Sequence, residues 1–134
     1  MSGLTPSALA NGDLEGALGG LVASFRGQHD GPSLSLSTSL GGSLDREVQV
    51  AVYRCVAEGV TNALRHASAT SIAVTVARNA GCVSVDVVDD GVGGQVVPGV
   101  GLSSLAARAE TGGGRLVVLP KHPKGTRLHL ELPA

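Results

Sequence analysis

Two periodicities divide the chain. Between residues 13 and 28, Leu14, Leu18, Leu21, Val22 and Phe25 recur every three or four positions, the spacing of one apolar helix face, and Asp13 is placed to cap the first turn. Gly31-Pro32 ends that pattern, after which Leu34, Leu36 and Leu40 are separated by serines and Thr38, as in a half-buried strand. Gly41-Gly42 makes a second break. Helical spacing then returns from Ser43, a candidate cap, to about residue 67, carried by Val48, Val52, Cys55, Val56, Val60 and Ala63. Period two resumes in Ile72, Val74 and Val76 and again in Val83, Val85 and Val87, with Asn79-Ala80-Gly81 short enough to close a hairpin between them. A short helix over 102–109 is stopped by Gly112-Gly113-Gly114, and strands over 116–119 and 126–132 finish the chain.

Along these strands Thr75, Ser84, Asp86, Arg127, His129 and Glu131 fall on the parity opposite the aliphatic residues. One sheet face therefore meets water and the other lies under helices. The pattern predicts an α+β two-layer sandwich with a mixed, mostly antiparallel sheet. Residues 1–12, rich in Ser, Gly and Pro, read as a flexible N-terminal segment, and 13–134 as one domain.

Composition narrows the choices of partner. Hydrophobic residues at 43% against 16% charged favour a folded domain over a disordered one. A net charge of -1 supplies no field for nucleic acid or an anionic membrane surface. No apolar run approaches the roughly 20 residues of a membrane span, and no signal peptide is visible, so the expected location is cytoplasmic, with membrane anchoring of a larger parent left open. Cys55 and Cys82 lack metal spacing and read as buried thiols of a reducing compartment.

Three polar features interrupt the aliphatic background. Glu58, Asn62 and His66 are spaced i, i+4, i+8 on the long helix, with Arg65 beside them. One face thus offers a carboxylate, a carboxamide oxygen, a guanidinium and an imidazole. Asn62 could supply an oxygen to Mg²⁺, Arg65 and His66 could meet phosphate oxygens, and Glu58 could orient or deprotonate a nucleophile. Taken alone, the stripe is equally a solvated helix face with a weak ion pair.

Asp89 continues the row of Val83, Val85 and Val87, so a carboxylate ends an apolar row, where it needs a donor. The exocyclic amine of adenine is one, and Gly91 and Gly93 let a ring approach the backbone. Asp90, on the other parity, reads as exposed. The third feature, Gly99-Val100-Gly101-Leu102, opens a helix whose free N–H groups suit an anion. Gly125-Thr126 opens the last strand and could complete a pocket floor. Each glycine motif by itself is also an ordinary turn.

In this order and spacing, Glu58-x-x-x-Asn62-x-x-Arg65-His66, Asp89-x-Gly91-x-Gly93, Gly99-x-Gly101-Leu102 and Gly125-Thr126 resemble the N, G1, G2 and G3 boxes of the GHKL ATPase superfamily. Within it the chain looks like the catalytic ATP-binding domain of two-component sensor histidine kinases. The run from Tyr53 to Ala67 is similar to kinases of the nitrate-sensor type. The resemblance covers roughly residues 5–133. It implies a Bergerat-type sandwich binding ATP or ADP with Mg²⁺: Asn62 as metal ligand, Asp89 reading adenine, residues 99–102 beside the phosphates and Glu58 as the polarising or basic residue. The γ-phosphoryl acceptor would be a histidine on a dimerisation domain absent from this chain, with a response regulator downstream.

Three departures stand out. Only residues 94–98 are left for a lid over the nucleotide, and Val100 occupies a position often held by histidine in related boxes. His29-Asp30 imitates an acceptor histidine with its acidic neighbour, but Gly31-Pro32 follows at once, so His29 reads as a surface residue. The domain is expected to bind nucleotide without phosphorylating itself. Two alternatives stay open at this point: an anti-sigma-type serine kinase of the same superfamily, and a GHKL-like interaction module without catalysis.

Overall fold

In a computed structural model describing residues 9, 13–28, 31–42, 44–66, 69–91, 100–120 and 124–134, every periodic segment forms an element of the expected type. In chain order these are α1 (Leu14–Gln28), β1 (Ser33–Ser39), α2 (Arg46–His66), β2 (Ser71–Asn79), β3 (Cys82–Asp89), α3 (Val100–Thr111), β4 (Arg115–Pro120) and β5 (Thr126–Pro133). The strands form one sheet in the order β1-β2-β3-β5-β4. β1 and β2 are parallel, as two strands joined through a crossover helix can be, and the other three pairs are antiparallel. The hairpin between β2 and β3 turns on Ala80 and Gly81, both at positive φ (50° and 80°), the backbone that matches the twist of two paired strands.

The helices cover one face. Val74, Val76, Val83, Val85, Val87, Leu128 and Leu130 point into a core closed from above by Val52, Cys55, Val56 and Val60 of α2. Gly59 sets how closely α2 approaches. A Cβ there would stand 2.9 Å from Leu128 Cδ2 and 3.0 Å from Val87 Cγ2, so the helix backbone rests directly on these two side chains of β3 and β5. The other face carries the polar parity. Asp86 accepts from Arg127 Nε at 2.7 Å and lies 2.7 Å from His129 Nδ1, its cross-strand neighbour, while Arg115 pairs with Glu131 at 3.3 Å.

The ends of the helices follow local chemistry. Asp13 caps α1, its Oδ1 accepting from Gly16 N at 3.0 Å. Arg26 near the end of α1 donates Nε to the carbonyl of Leu34 at 3.0 Å. α2 starts at Arg46, with the Asp45 carbonyl accepting from Gln49 N, rather than three residues earlier. Ser43 and the pair His29-Asp30 lie outside the described residues, as does all of 1–12 except Leu9. Leu9 is fully buried in the core, which anchors the chain at that point of the segment expected to be flexible. The cysteines also divide: Cys55 is buried as expected, whereas Cys82, at the start of β3, is only partly covered.

Candidate functional site

The site is assembled at one end of the sheet. Asp90 accepts from Thr70 N at 2.8 Å, Ser71 N at 2.9 Å and the Thr70 hydroxyl, pinning the connection that leaves α2 to the end of β3. The Thr70 hydroxyl, followed by the Ser71 and Thr70 amides, holds the Asp90 carboxyl well below the usual carboxylate range. This role was not legible in the sequence, where Asp90 reads only as an exposed neighbour of Asp89. Its consequence is spatial: the last turns of α2, bearing Asn62 and Arg65, and the end of β3, bearing Asp89, are held at the same edge.

Asp89 occupies the helix-facing row. It is 6% exposed, and among the described residues only it and Gln49 are polar and buried. Asp89 Oδ1 accepts from Gly91 N at 2.9 Å, and no hydrogen bond to Oδ2 occurs among the described residues. A carboxylate at the end of an aliphatic row, with one oxygen unengaged among the described residues, favours an incoming N–H. Asp89 is flanked in register by Ile72 of β2 and Thr126 of β5. Gly125, at φ 119°, lies so close that a Cβ would meet the Asp89 carbonyl oxygen at 2.1 Å. Gly91 is buried and Thr126 half-buried.

On α2, Glu58 and Asn62 are half-buried and Arg65 is exposed. None of the three makes a hydrogen bond or ion pair among the described residues. His66 closes the helix, and its side chain lies outside the described residues, as do Gly93 and Gly99 and the whole segment 92–99. Gly101 belongs to the first turn of α3, while the Leu102 side chain is 3% exposed and packed in the core, so that residue faces the site only through its backbone. α3 has no acidic residue in its first turn, leaving its N-terminal dipole uncompensated there.

Residues 47–134 match the family described as histidine kinase-, DNA gyrase B-, and HSP90-like ATPase. The chain belongs to that family. Among curated proteins, sensor histidine kinase YxjM of Bacillus subtilis is 32% identical over 120 residues, 87% of this chain and 29% of that protein. Sensor histidine kinase NarS of Mycobacterium tuberculosis is 33% identical over 138 residues, 97% of this chain and 32% of that protein. The chain thus spans about a third of the length of these relatives. Solved structures share the fold. The ATP binding domain of PrrB from Mycobacterium tuberculosis superposes with a TM-score of 0.67 at 22% identity, covering 92% of this chain and 93% of that one. The histidine kinase domain of the Erythrobacter litoralis EL346 blue-light activated kinase gives 0.72 at 20%, covering 90% and 60%. The α+β sandwich and the resemblance to sensor-kinase ATP-binding domains therefore both hold for this ATPase-family domain. No described helix is long and apolar enough to cross a membrane.

Proposed function

We propose that this domain binds ATP with Mg²⁺ and donates the γ-phosphoryl group to a histidine on a dimerisation domain, in a cytoplasmic two-component pathway that ends on a response regulator. The observation that carries the reading is Asp89, a buried carboxylate at the end of an aliphatic row with one oxygen held by Gly91 and the other unengaged among the described residues. Asp89 Oδ2 accepts the adenine amine, and Gly91, with Gly125 behind the strand, leaves room for the ring beside the backbone.

The residues along α2 suit the polyphosphate. Asn62 offers a hard carboxamide oxygen with no competing partner among the described residues. A cation at Asn62 would take its remaining ligands from phosphate and water. When bound, Mg²⁺ supplies charge neutralisation on the β- and γ-phosphates. Arg65, exposed and with no side-chain partner among the described residues, is assigned to the phosphates together with His66 and Gly99, and the backbone N–H groups of Gly101 and Leu102 at the start of α3 suit the same anion. Thr126, beside Asp89 in register, is assigned to the pocket wall, and Gly93 is assigned to the same site from its motif. Glu58, one turn before Asn62, orients the acceptor imidazole and takes up its proton.

Calorimetric titration with ATP and ADP, with and without Mg²⁺, tests binding, and γ-labelled ATP mixed with a separate histidine-bearing dimerisation domain tests transfer. Metal-dependent binding and a labelled histidine are expected. Absence of heat at about 1 mM nucleotide would leave an interaction module. Labelling of a protein serine instead would point to the anti-sigma type.

A further inference from the structure

α3 ends where β4 begins, at the end of the sheet opposite Asp89 and Thr126. At that far edge a groove of about 780 Å³ opens between the start of α2, the end of α3 and the end of β5. Its apolar floor includes Val50, Ala51 and Leu132, and Arg46, Arg54 and Arg108 stand around it, with Glu47 as the one acidic residue of the lining among the described residues. None of the three arginines has an ion-pair or hydrogen-bond partner among the described residues. Arg54 is the least satisfied: its Nε is buried without a hydrogen bond.

A chain with net charge -1 gathers three unpaired guanidiniums around one apolar trough, so the local charge is specific to the groove. We infer that this groove docks an acidic segment of a partner protein, carboxylates on the arginine rim and an aliphatic side chain on the floor. Turning the Arg54 guanidinium toward the groove gives its Nε and Nη groups a carboxylate to bind as a fork, which relieves the buried donor. The apolar floor favours a peptide over a bare phosphate. No aromatic residue lines the groove among the described residues, which favours a peptide over single-stranded nucleic acid. The groove lies at the opposite edge from Asp89, and the inference does not depend on nucleotide binding. Arg54 is nonetheless one helical turn before Glu58, so an occupant would touch the same stripe of α2 that bears Glu58 and Asn62.

The test uses the full chain and labelled, amidated peptides of about twelve residues, or three helical turns, repeating Glu-Glu-Leu or Lys-Lys-Leu. Fluorescence anisotropy is expected to show saturable binding of the acidic peptide at about 1–100 μM and none of the basic one. Amide shifts in NMR should cluster in 46–54 and 104–112 and spare 89–91. Arg54→Gln and, on the exposed surface, Arg108→Glu should each weaken the acidic peptide about tenfold while leaving ATP affinity unchanged. Arg108→Glu keeps the result readable if Arg54→Gln disturbs the fold. No saturation by about 1 mM, equal binding of both peptides, indifference to Arg108→Glu, or displacement by oligothymidylate or inorganic phosphate at equal concentration would each overturn the inference.

Discussion

The Cβ that Gly125 lacks would stand 2.1 Å from the carbonyl oxygen of Asp89. Two backbones are thus in contact where β5 begins and β3 ends, and Asp89, the residue proposed to read the base, is held from behind. Gly125 also sits at φ 119°, a conformation costly for any other residue. Gly125→Ala is expected to move the end of β3, lower stability by about 2–4 kcal/mol and weaken nucleotide binding at least tenfold. Urea unfolding and calorimetry on the same sample check both effects.

Asp89→Asn is expected to keep the fold, because Oδ1 still accepts from Gly91 N, but to replace the second acceptor with a donor. Adenine nucleotides should lose about 10- to 100-fold in affinity while the far-ultraviolet circular dichroism stays unchanged. A folded variant with wild-type affinity would remove the base-reading role.

Asn62→Ala should act through the metal. With Mg²⁺ present, ATP affinity is expected to fall about tenfold, and with chelator present the variant and wild type should bind alike. Equal losses in both conditions would assign Asn62 to packing.

Two helical glycines should respond with opposite signs. Gly59 rests on Val87 and Leu128, so Gly59→Val forces branched carbons into occupied space and should cost about 1–3 kcal/mol. Gly19 on α1 has nothing within 4 Å of a built Cβ, and Gly19→Ala should stabilise by about 0.5–1 kcal/mol. Thermal unfolding of the pair measures the helix-to-sheet contact directly.

Burial, reinforced by the charge of Asp86, pushes the Cys55 thiol up to about 12 from an ordinary 9.0. The unfolded chain loses this proton above pH 9 while the native state keeps it until about 12, so the thiol's contribution to stability is complete below 9 and lost across that interval. Denaturant midpoints of wild type should fall faster through this range than those of Cys55→Ala. A chromogenic disulfide reagent at pH 8 should label Cys82 in the native protein and both cysteines once it is denatured.

The sandwich was legible because its strands alternate cleanly: Val83, Val85 and Val87 name the buried face, and Asp86 and His129 the open one. Asp89 stood out for the same reason, as a carboxylate on the aliphatic parity. Chain order concealed what depends on distant contacts. Asp90 acts on Thr70 and Ser71, some twenty positions earlier, and no local pattern announces that link. Gly59 reads as a flaw in a helix until Leu128 is found beneath it. The start of α2 was displaced because Ser43 and Asp45 are both plausible first-turn residues and only tertiary placement chooses between them. Nothing in the chain order singles out Arg54, because its significance lies in a buried Nε that no described residue contacts.

β1 is joined to the sheet along one side, and the carbonyl of Leu34 faces away from β2. Arg26 reaches across from α1 and takes that carbonyl. A strand from another molecule seeking to extend the sheet would have to expel a guanidinium before forming its first ladder bond, and would find serines along the margin instead of a greasy strip. The bond that looks like a minor tether therefore occupies an acceptor that strand addition at this margin would need.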